Sequence, residues 1–205
     1  MSRFKTLNKD LFDNHRSTAE LEEGMAEVLG SPKDSGKLEL IVARPKTDKR
    51  EILTTAELDT EVGLVGDNWK ARGFRQRPDG SAHPEMQLNI MNSRAAALIA
   101  GPQERWALAG DQLYVDMDLS SANLPAGTQL SLGNSIIEIT AEPHLGCAKF
   151  SDRFGKEAVL FVNSALGKAH NLRGLCAKVI VAGSINVGDT LKKYPIKTSA
   201  QPTTS

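Results

Sequence analysis

The chain has no excess of charge of either sign: 25 Lys and Arg balance 25 Asp and Glu. A general nucleic-acid binder needs a basic surface, so this balance argues against one and leaves room only for a local basic patch. No apolar run approaches the roughly 20 residues needed to span a bilayer. The start, Met1-Ser2-Arg3-Phe4-Lys5, is not followed by an apolar signal segment. Cysteine is scarce, with only Cys147 and Cys176, which excludes a disulfide scaffold but leaves a bond between those two open. The expectation is a cytoplasmic protein with no nucleic-acid or membrane partner. Familiar signatures are missing too. There is no Gly-x-Gly-x-x-Gly, no Walker phosphate loop, no Gly-x-Ser-x-Gly elbow, and no paired-Cys or His-rich zinc spacing. The four histidines, His15, His83, His144 and His170, are scattered.

What remains is a globular composition, 40% hydrophobic over 205 residues. That length suits one large domain or two small ones and buries a core without disulfides. Ser17-Thr18-Ala19-Glu20 resembles a capping box. Leu21, Met25, Val28 and Leu29 follow on one helical face, and Gly30 ends the helix. Such a helix could dock on the domain or pair with another chain. Ser31-Pro32-Lys33-Asp34-Ser35-Gly36 reads as a linker. The expected organisation is a helix and linker over 1–36, a main domain over 37–193 and a disordered tail over 194–205, polar from Thr198 onward.

The main domain reads mostly as strand. Leu38–Val42 and Arg50–Leu53 come first. Met86–Ile90 alternates as a half-buried strand should, and Asn92 or Ser93 then caps a helix over Ala95–Ala100. Leu113–Leu119 alternates again. Gln129–Leu132 and Ser135–Thr140 flank Gly133-Asn134, a hairpin signal because tight turns need positive φ. Glu157–Leu166 has helical spacing, Leu175–Val181 reads as a strand, and Gly183–Asp189 as a turn-rich lead into a last one. Many short strands with glycine corners predict a mostly β protein with a few helices, a compact β-barrel or a sandwich.

Chemistry concentrates around Glu142-Pro143-His144-Leu145-Gly146-Cys147-Ala148-Lys149-Phe150. Cys147 sits between a strand and a helix running towards Phe154. Helix-start N–H groups, Lys149 and Arg153 would favour a negative sulfur, the form that binds soft metals or attacks electrophiles. The plainer alternative is a small buried hydrophobe. His144 could turn towards Cys147 or be a surface loop residue. The stretch from Gly66 to Pro84 lacks periodicity and carries Lys70, Arg72, Arg75 and Arg77, which suits either a lid over an anion or a mobile surface loop. Arg173, before Gly174, is a further candidate anion contact.

Gly63-Leu64-Val65-Gly66-Asp67, Gln87-Leu88-Asn89-Ile90-Met91, Ala122-Asn123-Leu124 with Gly127 to Gly133, Cys147, and Arg173-Gly174-Leu175-Cys176-Ala177-Lys178-Val179 with Val187-Gly188-Asp189 occur in an order and spacing that resemble MOSC domains. That family is named for the C-terminal domain of molybdenum-cofactor sulfurases. The resemblance spans about residues 37 to 193. It implies a compact barrel of MOSC type that binds the molybdenum cofactor, a pterin whose dithiolene sulfurs hold the metal. Cys147 would be the catalytic residue and protein ligand to the metal. Asp67, Arg72, Arg75, His144, Lys149, Arg153 and Arg173 would hold the cofactor.

The implied activity is reduction of N-hydroxylated or similar small substrates with an external electron donor. Two alternatives accompany it. One is sulfur transfer with a partner cysteine desulfurase, through which alone pyridoxal phosphate would enter. The other is a non-catalytic barrel that binds an anion or a protein. The chain departs from the family's common Gly-Asp-Arg-His, with Asn68-Trp69 after Asp67. It also lacks the additional N-terminal β-domain of the amidoxime reducers and any ferredoxin cysteine cluster.

Overall fold

A computed structural model describes residues 15–195. Residues 1–14 and the tail beyond Pro195, expected to be disordered, lie outside them. Seven strands close into a barrel: β1 (Ser35–Ala43), β5 (Leu88–Asn92), β6 (Leu113–Asp116), β7 (Gln129–Leu132), β8 (Ser135–Ile139), β9 (Leu175–Val181) and β11 (Thr190–Lys193). Their order is β11-β7-β8-β9-β5-β6-β1, and β1 pairs back onto β11 through Ser35 with Lys192, Gly36 with Leu191 and Lys37 with Thr190. Closure removes the open edges that invite aggregation. The β5–β6 pair is parallel and the other barrel pairs are antiparallel. β2 (Glu51–Leu53) extends β1 outside the closed ring. A separate sheet has the order β10-β3-β4, from β3 (Thr55–Asp59), β4 (Gly63–Leu64) and β10 (Gly183–Asn186).

Alternating residues fill the barrel. Leu38, Ile41, Leu88, Ile90, Leu113, Val115, Leu130, Leu132, Ile137, Ala177, Val179 and Leu191 form one apolar cluster. The hairpin between β7 and β8 turns at Gly133-Asn134 as expected, with Gly133 at φ +54°. Gln87, expected in the strand, instead precedes it and ties neighbours together. Its Oε1 accepts from the Val179 N–H (2.8 Å) and its Nε2 donates to the Thr60 carbonyl (2.8 Å).

Most of the helices pack as a second layer against the outside of the barrel. The helices are α1 (Thr18–Glu23), α2 (Met25–Leu29), α3 (Trp69–Arg72), α4 (Ser93–Ala100), α5 (Ala148–Phe154), α6 (Lys156–Asn163) and α7 (Ala165–Ala169). A second cluster joins Leu21, Met25 and Val28 to Met91, Tyr114, Ala95, Ile99, Phe150, Phe154 and Phe161. The N-terminal helix therefore docks on its own domain. Its capping box forms, with Ser17 and Glu20 bonding reciprocally, but it divides at Gly24 into α1 and α2.

The helical layer explains a correction. β5 was expected to be half-buried, yet all five residues are buried. The alternation is real: Leu88 and Ile90 face the barrel while Met91 enters the helical layer. Asn92 caps α4, its side-chain oxygen accepting from the Ala95 N–H at 3.0 Å. Three further differences concern boundaries. The linker gives Ser35 and Gly36 to β1, the helix expected to Leu166 breaks at Ser164 into α6 and α7, and the turn-rich Gly183 stretch pairs with β3 as β10.

Candidate functional site

The barrel, α3 and α5 together leave a cavity of about 350 Å³. Arg44, Lys46, Arg50, Arg72, Lys149, Arg153 and Arg173 line it, with Asp48 the one carboxylate in its wall. Cys147 lies in the same lining and is exposed, a free thiol. Six expected residues are thus brought together: Cys147, Lys149, Arg153, Arg173, Arg72 and His144.

Cys147 is the N-cap of α5, and the Phe150 and Ser151 N–H groups bond to its carbonyl, both at 3.0 Å. The preceding Gly146 is clamped by Asn163 of α6. Asn163 Oδ1 accepts from Gly146 N–H and its Nδ2 donates to Gly146 O, both at 2.9 Å. A side chain at 146 would crowd Val159 (2.8 Å) and Val162 (2.9 Å), so glycine lets the loop lie flat on α6. Lys149 and Arg153 both reach Asp48 Oδ1, at 3.3 and 3.2 Å. Arg153 also donates to the Leu108 carbonyl at 2.7 Å, which fixes it better than the exposed ion pair can.

Arg44 was not anticipated. Its Nε and Nη2 donate to the two Asp67 oxygens at 2.8 and 2.9 Å, and its Nη1 donates to Gly110 O at 2.8 Å. Asp67 is fully buried and also accepts from the Arg44 and Trp69 backbone N–H groups, both at 2.9 Å. Asp67 therefore holds Arg44 and the start of α3 and does not line the cavity, a correction to its expected cofactor contact. Arg50, also unanticipated, donates from Nε to Ala107 O at 3.1 Å.

The expected lid divides as well. Only Arg72 of its four cations lines the cavity. Arg75 is exposed and outside the lining, Lys70 pairs with Glu61 (3.2 Å), and Arg77 with Asp79 (3.4 Å). The segment folds on itself: Phe74 N–H donates to Ser81 O (3.1 Å) and the Phe74 ring meets His83 edge-on at 5.4 Å.

Behind the cavity lies a charged cluster. Asp111, fully buried, accepts from Arg173 Nη1 at 2.6 Å and is 2.7 Å from His144 Nε2. Arg173 Nη2 donates to Ala109 O at 2.8 Å, and the guanidinium lies 4.9 Å from the Phe150 ring centre. Gly174, at φ +107°, permits this packing, because a Cβ would strike the Ile90 carbonyl and come within 3.1 Å of the His144 ring. His144 is accordingly not a surface loop residue.

Burial alone would raise the Asp111 carboxyl, but Arg173 and then His144 outweigh it and hold it at about 2. Burial, then Arg173, pushes His144 below its ordinary value. That direction favours the neutral imidazole, with Nε2–H donating to Asp111, since Arg173 already balances the carboxylate. Arg72 is lowered by burial and by Arg44, and Arg50 by burial and by Arg153. Cations crowded in this way gain from an anion. Two buried atoms in the wall have no partner among the described residues, the Arg173 Nε donor and the Asn68 Oδ1 acceptor.

No protein-family model and no curated protein matches the chain. Solved structures do. The fold is similar to that of the YuaD protein of Bacillus subtilis, at 19% identity and TM-score 0.60 over 78% of this chain and 97% of that one. YiiM of Escherichia coli matches at 18% identity and TM-score 0.51, over 78% of this chain and 70% of that one. YiiM of Geobacillus stearothermophilus matches at 12% and 0.52, over 80% and 78%. The compact β-barrel expected from the strand pattern is thus a fold with solved examples. No helix of the described residues is long and apolar enough to cross a membrane.

Proposed function

We propose that this chain is a MOSC-type domain that holds the molybdenum cofactor in the Cys147 cavity and supports reduction of N-hydroxylated or similar small substrates. The observation that carries this reading is the convergence of Arg44, Lys46, Arg50, Arg72, Lys149, Arg153 and Arg173 on one cavity that also presents an exposed cysteine. The motif order from Gly63 to Asp189 and the barrel shared with YuaD and YiiM support it.

The residues present fit such a group. Arginine forks suit phosphate oxygens. The unpartnered Asn68 Oδ1 would accept a pterin N–H. Among the described residues no three His, Cys, Asp or Glu side chains cluster to hold a metal alone. A metal whose remaining ligands come from a dithiolene fits a protein that offers one thiolate. The bound group would supply two-electron redox chemistry at the metal.

The chain's own residues would do the rest. Arg72, Arg50 and Lys46 bind phosphate, Asp67 keeps Arg44 fixed, and Asn163 positions the Cys147 loop. Reduction of an N–OH group to N–H and water takes two electrons and two protons, and the electrons come from an external donor. His144 is placed to pass protons, held in one tautomer by Asp111. The exposure of Cys147 also favours a second reading, transfer of sulfur as a persulfide to a partner.

The experiment is to purify the protein from a cofactor-producing host and measure molybdenum and pterin. Both should co-purify with the wild type. Cys147→Ser should keep the fold, lose reductase activity with a supplied donor, and lose less metal than activity. Wild-type protein with neither molybdenum nor pterin, or a fully active Cys147→Ser, would overturn the reading. Cyanide-labile sulfur on Cys147 without molybdenum would select sulfur transfer.

A further inference from the structure

A second cavity, of about 540 Å³, adjoins the first, and Arg173 and His144 line both. Its character is different. Leu124, Ile139, Leu145, Val162 and Leu175 give it apolar walls, and its cations are Arg173 and the exposed Lys168. The one carboxylate in the lining, Glu142, lies 3.6 Å from His83. A volume of this size, with apolar walls that also carry Ser121, Thr140 and Asn171, suits a small organic ligand.

Arg173 supplies the specific requirement. Its side chain is 7% exposed, Nη1 is taken by Asp111 and Nη2 by Ala109 O, yet the buried Nε has no partner. A buried donor left unpaired is costly, and a ligand acceptor would relieve it. On the same wall His144 Nε2 is committed to Asp111, while Nδ1 makes no hydrogen bond among the described residues.

We propose that the second cavity is the binding site for the molecule acted upon: a small, mainly apolar organic compound, uncharged or singly anionic, whose oxygen or nitrogen accepts from Arg173 Nε–H. An ammonium compound is disfavoured, because it brings no acceptor and places a cation against Arg173 and Lys168. Its role as substrate rests on the function proposed above; the binding itself does not. In that reading the two ligands lie on either side of the wall made by His144 and Arg173.

The test uses metal-free protein and three probes, benzamide, benzoate and benzylamine, followed by amide NMR. Benzamide and benzoate should shift Ala126, Ile139, Gly167 and Leu175, and benzylammonium should bind at least about tenfold more weakly. Ala126→Trp and Ala141→Trp, at exposed lining positions outside the Cys147 cavity, should each weaken benzoate about tenfold or more. Inorganic phosphate should still shift Gly110 and Asn68 in both variants. The proposal is overturned if the neutral and anionic probes fail to bind, if all three bind alike, if their shifts fall on Gly110 and Asn68, or if both tryptophan variants bind benzoate as the wild type does. Loss of phosphate binding in the wild type would instead count against the anion cavity and leave this proposal standing.

Discussion

His144 Nε2 lies 2.7 Å from Asp111 Oδ1, and Asp111 has no solvent exposure. The same carboxylate takes Arg173 Nη1 at 2.6 Å, so one buried negative charge orders two side chains that line both cavities. Removing it leaves Arg173 buried without its counter-charge. Asp111→Asn should therefore cost about 3–5 kcal/mol, read from urea unfolding at neutral pH. A loss below about 1 kcal/mol would mean that solvent reaches the pair.

The same cluster fixes a pH dependence. Asp111 is depressed from 3.8 to about 2, so its contribution is present above 3.8 and disappears as pH falls through about 2. His144 is also depressed, so the unfolded chain takes up this proton first. Stability from keeping His144 neutral is therefore present above the ordinary histidine value and declines as pH drops below about 6.5. The difference in unfolding free energy between wild type and His144→Gln should move against the wild type between pH 7.5 and 5.5. A difference that moves the other way would show an imidazolium held by Asp111.

Asn163 is a structural clamp with a chemical consequence. Its paired bonds to Gly146, both 2.9 Å, set the backbone that presents Cys147. Asn163→Ala should cost about 1–3 kcal/mol by leaving that backbone unpaired. It should also change the rate of Cys147 alkylation relative to the wild type. An unchanged rate would mean that α5 alone places the thiol.

These contacts mark where sequence reading stops. The hairpin at Gly133-Asn134 and the cap at Asn92 were legible because a positive φ and an orphan helix N–H each demand particular residue types locally. β10 was not, because Gly183 and Asn186 read as turn until pairing with β3 overrides them. The cluster around Cys147 was half legible. Cys147, Lys149 and Arg153 share one helix start, and a helical period brings them together. Arg44, Asp67, Asp111 and Arg173 meet only through barrel topology, which no local pattern encodes. Asp67 was singled out for its motif as a cofactor contact, whereas its side chain pairs with Arg44. Nothing local distinguishes a buried, paired Asp111 from a surface aspartate.

The two cysteines should separate cleanly. Cys147 is exposed, whereas Cys176 is fully buried, accepts from Asn89 Nδ2 at 3.4 Å, and is pushed up to about 12 by burial and then by Asp111. Iodoacetamide at pH 8 should label Cys147 in the native protein and reach Cys176 only under unfolding conditions, as mass spectrometry would show. Comparable labelling of both in the native state would place Cys176 in a locally opening segment.

Arg72 and Arg75 of the 66–84 segment provide the sharpest test of the anion cavity. Arg72 lines it and lies beside Arg44, and its guanidinium makes no hydrogen bond among the described residues, so its side-chain donors are available. Arg75 is three residues on; both residues are exposed, but Arg75 lies outside the lining. A charge-assisted bond to phosphate contributes roughly 1.5–3 kcal/mol, which is about a 10- to 150-fold change in affinity. Arg72→Ala should weaken pyrophosphate binding within that range, measured by calorimetry at fixed low salt, because exposed charges are screened as salt rises. Arg75→Ala should leave it within about a factor of two, since an exposed side chain outside the cavity acts only through a screened field. The two substitutions remove the same charge, so a net-charge effect would weaken both equally. Equal losses would mean that pyrophosphate binds the surface of the segment, and the cavity would then need another occupant.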